Sequence, residues 1–371
     1  MALEDEWRSL EVHSGLPFSS WDWAIAWWSQ LREDKLGVKD SLFVVVMRAD
    51  GGELLAVAPM LISRRPSVGP ICVRQLQFFG ADPNITELRG LVALPAWRAD
   101  AYRALLAYAN EHAAEWDTLL LSGMPPELDA SALASFTELH WQAPTLDYQL
   151  PLPPSWEAFR GALPRNIKES LRKCYNSLKR DGLQFRLEVA ADGAEIAGAL
   201  EHFFRFHAAR ARLEGTVQHS DVFATAEARH FLVDVCSRFA ARGCLRIFQL
   251  VVDERVVAVR IGFVVGEALY LYYSGYDAAF AKYSVMTTTV AEAIKYAIEQ
   301  RMSTVNLSTG KDVSKARWNP VEVVARQVRL VSPSTRGEVA HQVYTQAVRA
   351  VGQLPALKRA VQFLSRRSAT A

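Results

Sequence analysis

The stretch Leu245–Thr289, LRIFQLVVDERVVAVRIGFVVGEALYLYYSGYDAAFAKYSVMTTT, ends in Thr287, Thr288 and Thr289, in the first turn of a helix fed from a strand end. A helix start presents N–H groups with no intrahelical acceptor and the positive end of the dipole, so its chemistry is the capture of an anion. Downstream, Lys311, Lys315 and Trp318 follow the strand exit Ser308-Thr309-Gly310, where two cations and an indole can hold phosphate or stack on adenine, or simply be solvated. His207 and Arg210 lie three apart on one helical face, before a polar loop, Glu214–Ser220, that can reach a substrate; surface pairing is the alternative. His230 and Asp234 repeat a His-x-x-x-Asp spacing, but mid-helix among apolar neighbours, and with 8 histidines chance spacing is easy. Arg165 to Arg180 carries six basic residues and one acid, Glu169, a face that either touches RNA or anionic lipid or is merely solvated.

The elements that must position these residues are legible in outline. Leu245–Val252, Val256–Val265 and Ala268–Gly275 are rich in β-branched and aromatic residues and separated by short turns, which predicts an antiparallel meander. Strand alternation puts Tyr270, Tyr272, Ser274 and Tyr276 on one sheet face. The following helix buries Val290, Ala293, Ile294, Ala297 and Ile298, and strand Thr304–Leu307 comes next. Upstream, Ser20–Leu31 reads as a helix whose tryptophans pack a core, and Leu42–Met47 with Glu53–Ile62 as a hairpin around Ala49-Asp50-Gly51-Gly52. Strand Arg74–Phe79, the turn formers Gly80-Ala81-Asp82-Pro83-Asn84, helix Trp97–Glu115 and strand Thr118–Leu121 complete a first α/β unit. Its hairpin, LFVVVMRADGGELLAVAPMLI, is similar to RIFQLVVDERVVAVRIGFVV in the later stretch, as two copies of one fold would be.

Pro144–Pro154 carries four prolines, which suit an extended crossing better than a central strand and mark a boundary. The expected division is 1–150, 151–330 and a helical tail, 331–371, whose helix Gly337–Leu354 precedes basic residues Lys358, Arg359, Arg366 and Arg367. Helices Pro164–Arg180 and Ala194–Leu213 flank strand Leu183–Val189.

Composition narrows the classes. Half of the 371 residues are apolar, enough for two ordinary cores, and a net charge of +2 gives no global case for DNA or a membrane surface. Cys72, Cys174, Cys236 and Cys244 lie far apart, which supports neither a zinc site nor a disulfide framework. No run of roughly 18 uncharged apolar residues is present and the N-terminus lacks an apolar stretch, so a cytoplasmic protein with no integral membrane segment is expected. A Gly-x-Ser-x-Gly elbow, a Walker loop and a Rossmann fingerprint are all absent from the sequence.

In their order, the motifs resemble the CelD-like acyltransferases associated with cellulose biosynthesis, a branch of the GNAT superfamily similar in layout to the tandem-fold FemAB peptidoglycan transferases. The resemblance rests on Trp21 to Trp28, Asp50-Gly51 with Ala58-Pro59, Phe79-Gly80, the linker DYQLPLPPSWEAF, and Leu163-Pro164-Arg165 to Gly182. Phe203–Arg210, Ser274-Gly275-Tyr276-Asp277, and Gly310 with Lys315 and Trp318 carry the rest of it. It implies an α/β (α+β) fold of two tandem GNAT-like units, coenzyme A held by the second and the acceptor in the cleft between them. The superfamily's pyrophosphate loop resembles Gln/Arg-x-x-Gly-x-Gly/Ala; here Lys282-Tyr283-Ser284-Val285-Met286 has no glycine, and a Cβ there makes close approach of a phosphate harder.

Direct acyl transfer needs a base for the attacking amine or hydroxyl and an acid for the leaving thiolate. His207 or Asp277 would be the base and Tyr276 or Tyr283 the acid. Lys282, Ser284, Val285, Met286, Thr287, Asn306 and Lys311 would hold acetyl-coenzyme A or another acyl-coenzyme A, with no metal. Asp82, Glu87, Arg210, Lys315 and Trp318 would meet a small-molecule or saccharide acceptor. The alternatives are a transferase using aminoacyl-tRNA, which would contact the Arg165–Arg180 face, and a non-catalytic scaffold of an exopolysaccharide system.

Overall fold

A computed structural model describes residues 3–66, 72–82, 84–128, 130–136, 138–212 and 220–353. The loop at 214–219, Pro83 and the basic tail at 358–367 lie outside the described residues. The chain opens with helices α1 (Glu4–Glu11) and α2 (Trp21–Gln30), the second started by the Ser20 hydroxyl accepting from the Trp23 N–H. Strands β1 (Asp34–Lys35), β2 (Val38–Arg48), β3 (Leu54–Pro66) and β4 (Cys72–Phe78) form an antiparallel meander, and short β5 (Val92–Ala93) pairs with β3. Helix α3 (Arg98–Glu111) carries the chain over to β6 (Thr118–Met124), which lies parallel to β4. Strands β7 (Leu139–Trp141) and β8 (Thr145–Pro151) lead to helices α4 (Trp156–Ala162) and α5 (Arg165–Arg180), β9 (Phe185–Ala190), and helices α6 (Gly193–Ala211) and α7 (Ala226–Ala241). A second meander follows, β10 (Leu245–Val252), β11 (Arg255–Val265) and β12 (Ala268–Tyr276), then helix α8 (Val285–Glu299) and β13 (Thr304–Thr309), parallel to β12. Short helix α9 (Val313–Ala316), β14 (Val321–Val331) and helix α10 (Thr335–Gln353) end the described chain.

Meander, crossover helix, parallel strand: the same order occurs twice, and this is the structural content of the hairpin likeness. The units then exchange their closing strands. β8 leaves the first unit and pairs with β13 of the second, whereas residues Arg326–Val331 of β14 return to pair with β6 of the first. Residues Val321–Ala325 of β14 pair with β8, so one sheet runs through both units. The prolines of 144–154 therefore do not keep this stretch out of the sheet: β8 is hydrogen-bonded on both sides because Pro144 precedes it, Pro151 ends it and Pro153 and Pro154 follow.

The second meander is apolar almost residue for residue because both faces are covered. Phe203 and Phe206 of α6, Phe231 and Phe239 of α7 and Trp23 and Trp27 of α2 pack on one face. Ile167 and Leu171 of α5 and Ala293, Ile294 and Ala297 of α8 pack on the other. Helix α2 belongs to the first half of the sequence but packs against the second meander, which brings the loop after β4 to the second unit's sheet.

Candidate active site

β12 and β13 pair only at Ala268–Tyr270 with Thr304–Asn306. Beyond that point β12 continues to Tyr276, while β13 follows β8 through an irregularity between Asn306 and Thr309. The strands splay, and the wedge between them exposes strand edges able to hydrogen-bond a ligand's amides. Helix α8 starts beside this wedge. Its first residue is preceded by Ser284 in the left-handed conformation, φ 53°, a geometry that costs a non-glycine residue roughly 1–2 kcal/mol. The glycine-free loop thus makes, with a serine, the turn that a glycine would make more cheaply.

The amino end of α8 carries a second sign of anion chemistry. Arg317, half-buried, donates from Nη2 to the Thr287 hydroxyl. A guanidinium against the positive end of a helix is unfavourable unless an anion lies between them. Burial pushes the Arg317 pKa down, and only Cys174 and Asp312 offset this.

A cavity of about 1450 Å³ runs from Ser284–Thr287 past Tyr272–Ser274 and Leu307–Thr309 to Asp82–Arg89, His207 and Arg210. A site for a single ligand occupies roughly 300–1,000 Å³, so this one has room for two reactants together. Glu87 is its most constrained acid. Tyr270 donates to Glu87 Oε2 and Ser308 to Oε1 at 3.1 Å, while Lys315 donates from Nζ to Ser308 Oγ at 3.2 Å and to the Thr309 carbonyl. Burial raises the Glu87 pKa, against Tyr270 and Lys315, and burial lowers Lys315 to about 8. Such opposed shifts in adjacent groups are what proton transfer near neutral pH needs.

Glu87 comes from the first unit and is clamped onto the second. Asp82 Oδ1 accepts from the Ile85 and Thr86 N–H groups at 2.6 and 2.8 Å; its Oδ2 accepts from Trp27 Nε1 at 2.8 Å and the Thr86 hydroxyl at 2.7 Å. Trp23 Nε1 reaches Thr86 Oγ1, Tyr272 donates to the Ile85 carbonyl and Tyr273 to that of Asn84 at 2.6 Å. At the end of β6 the first unit packs closely on itself: a Cβ on Gly123 would stand 2.5 Å from the Arg89 carbonyl, and Tyr102 donates to the Ser122 carbonyl.

The structure brings Asp82, Glu87, His207, Arg210, Tyr276, Ser284, Val285, Met286, Thr287, Lys311, Lys315 and Trp318 to this cavity. It does not bring Asp277, Lys282, Tyr283 or Asn306 there. Asp277 starts the turn after β12, accepting from Ala279 N–H at 3.0 Å and pairing with Arg255 at 2.8 Å. Tyr283 donates to Asp181 at 2.8 Å, and Lys282 stands exposed, 3.7 Å from the same acid. Asn306 is buried, donating to Asp147 at 2.8 Å and accepting from Ser308 N–H at 2.7 Å. His207 is boxed by the rings of Phe203, Phe223 and Tyr273, with Nδ1 3.4 Å from the Ser274 carbonyl. Asp234 pairs with Arg238 within α7, away from the cavity.

Strand alternation fails at one point. Arg260 pairs with Ser274 but Gly262 with Leu271, so Tyr272 and Tyr273 together face one residue, a β-bulge. Their rings meet edge to face, centroids 4.6 Å apart, and Tyr276 is turned to the α8 side, against the cluster that contains Tyr283 and Val285. Gly275 then meets α6, where a Cβ would stand 2.7 Å from the His207 nitrogen. Arg260, Tyr270, Ser308 and Arg317 escaped the sequence reading as site residues. Only Arg260 carried a signal, as the one charge inside VVAVRIGFVV.

No curated protein matches the chain. Residues 165–316 match the family model described as acetyltransferase (GNAT) domain. Among solved structures, FemX aligns at 10% identity over 87% of this chain and 95% of its own, with a TM-score of 0.55. The C-terminal domain of a putative lysylphosphatidylglycerol synthetase from Agrobacterium fabrum aligns at 12% over 82% and 88%, TM-score 0.47. A tandem GNAT protein from the clavulanic acid biosynthesis pathway aligns at 12% over 90% and 96%, TM-score 0.41. The chain is a mixed α/β protein with one large, mostly antiparallel sheet flanked by helices, and residues 165–316 of it are similar to the acetyltransferase (GNAT) domain.

Proposed function

We propose that the protein is an acyltransferase of the GNAT type that moves an acyl group, acetyl in the simplest case, from acyl-coenzyme A to an amine or hydroxyl of a small-molecule or saccharide acceptor. The observation that carries this reading is the cavity joining the amino end of α8, through the wedge, to the Glu87–Lys315 cluster. The four unpaired cysteines fit a cytoplasmic setting, and the ordered motifs over 18–325 support the CelD-like branch. Among the described residues, no helix is long and apolar enough to cross a membrane.

In this reading the pyrophosphate lies on the N–H groups of Val285 and Met286 with Arg317, where the dipole and the guanidinium both favour it. The co-substrate supplies a thioester carbonyl at the wedge. Glu87 takes the proton from the attacking nitrogen or oxygen, free edge N–H groups of β12 hold the oxyanion, and the Tyr276 phenol protonates the departing thiolate. Lys315, charged, works against the burial that raises the Glu87 pKa; His207 forms the wall beside the acceptor.

Isothermal titration with acetyl-coenzyme A tests the donor half: binding is expected, and Arg317→Ala should weaken it about 10- to 100-fold, the value of a lost charge-assisted hydrogen bond. Binding unaffected by that change would remove α8 as the site. Absence of acetyl-coenzyme A binding together with salt-sensitive tRNA binding would point instead to the exposed basic face of α5 and an aminoacyl-tRNA donor. Neither binding would leave the scaffold reading.

Lys315 gives a pH prediction. Its charge is lost above about pH 8, so turnover should fall along an alkaline limb near that value. The raised Glu87 pKa should put the acid limb above the ordinary carboxylate range. Lys315→Arg, which stays charged, should push the alkaline limb upward in the pH dependence of kcat; an unmoved limb would assign it to another group.

A further inference from the structure

The Glu87–Lys315 relay leaves Arg260, a cation in the strand interior, without a task. Arg260 of β11 lines the cavity, donates from Nη2 to the Leu271 carbonyl at 2.9 Å, and has a buried Nε with no protein acceptor among the described residues. It makes no ion pair among them either: the nearest acid by field, Glu87, is held by the hydroxyls of Tyr270 and Ser308. Two more cations, Arg210 and Lys315, lie close enough to interact with it or with Glu87. Burial lowers the Arg260 pKa to about 10, the mark of a charge not fully compensated by the protein. A half-buried guanidinium kept at such a cost in the interior of a strand is retained where a ligand meets the part of it that lines the cavity, and a planar fork of donors fits a carboxylate or phosphate.

Building on the acyl-transfer reading, we propose that one of the two reactants carries an acid group, a carboxylate or a phosphate, that docks on Arg260 in the wall of the cavity. The acid group has two possible carriers, the acceptor or the far end of the acyl chain, and both present the same oxyanion to the same guanidinium.

The test uses the full chain, wild type and Arg260→Gln, with calorimetry throughout. In the first arm, succinate, inorganic phosphate and neutral succinamide are titrated into protein saturated with coenzyme A, which covers the amino end of α8. An acceptor-borne acid predicts that succinate or phosphate binds, succinamide does not, and Arg260→Gln weakens the anion about tenfold or more. In the second arm, succinyl-coenzyme A is compared with acetyl-coenzyme A; a donor-borne acid predicts a preference of about tenfold or more for the former that disappears in Arg260→Gln. Equal behaviour of wild type and variant in both arms overturns the proposal. If acetyl-coenzyme A does not bind at all, the acyl-coenzyme A reading fails by itself, and the anion titration is then read on the unliganded chain. Should Arg260→Gln not fold, Arg260→Lys replaces it: loss of the bidentate fork should still weaken succinate, and unchanged affinity counts against the site.

Discussion

Replacing Glu87 by Gln is expected to lower turnover by about 10²- to 10⁴-fold, the usual contribution of a positioned general base, with little change in acetyl-coenzyme A affinity. The amide is nearly the shape of the carboxylate and can still meet Tyr270 and Ser308, so the clamp around residues 82–87 should survive. What disappears is the ability to accept a proton from the attacking group. The sign of the change therefore separates chemistry from packing: kcat falls, the affinity for the donor holds, and the acid limb of the pH profile is lost with the group that produced it. Coenzyme A thiol release in single-turnover experiments is the measurement. Turnover within about threefold of wild type would move the base to His207, whose substitution by Gln is otherwise expected to cost less than Glu87→Gln.

The place of Glu87 in the fold explains what a reading of the sequence reaches and where it stops. The meander 245–275 and helix α8 are legible because local pattern and final burial agree: β-branched strands covered on both faces, then apolar positions at helical spacing. The donor end of the site follows from them. Ser284–Thr287 stand at a helix start whatever packs nearby. The wedge does not follow, because it depends on where β13 abandons β12 for β8, and the proline-rich segment 144–154 gives no sign that it supplies a central strand. The bulge at Tyr272–Tyr273 is a one-residue slip that reverses the faces of Ser274 and Tyr276, invisible to simple alternation. Resemblance puts Glu87 on the acceptor side; the case for a proton-transfer role rests on Tyr270, Ser308 and Lys315 around it, residues 183, 221 and 228 positions away along the chain.

The clamp also ties catalysis to stability through α2. This helix holds the 82–87 loop by the indole N–H groups of Trp23 and Trp27, and it is itself held by a buried charge network. The Asp22 side chain, 4% exposed, accepts from Arg8 at 2.9 Å and from Arg242 of the second unit at 3.0 Å. The Glu11 side chain, 3% exposed, accepts from Arg242 at 2.6 Å and from the Trp21 N–H at 2.8 Å.

Arg242→Met should cost about 3–5 kcal/mol in urea unfolding, because it takes from buried Glu11 the only cation hydrogen-bonded to it among the described residues and leaves Asp22 with Arg8 alone. Changing Glu11 to Gln as well should recover part of the loss, since the stranded buried charge is then gone; additive losses would show that the network contributes only packing. Burial raises the Asp22 pKa, but the bonds from Arg8 and Arg242 outweigh it and the net shift is downward. A carboxyl whose folded pKa lies below its unfolded one stabilises the fold above its ordinary titration range and loses that contribution as pH falls through the folded value. Wild type should thus lose stability in acid more steeply than Arg242→Met, and the two unfolding free energies should converge as the pH is lowered. Divergence instead would mean that Asp22 is not ionised in the folded protein, and that α2 is fixed over the active site by its tryptophans alone.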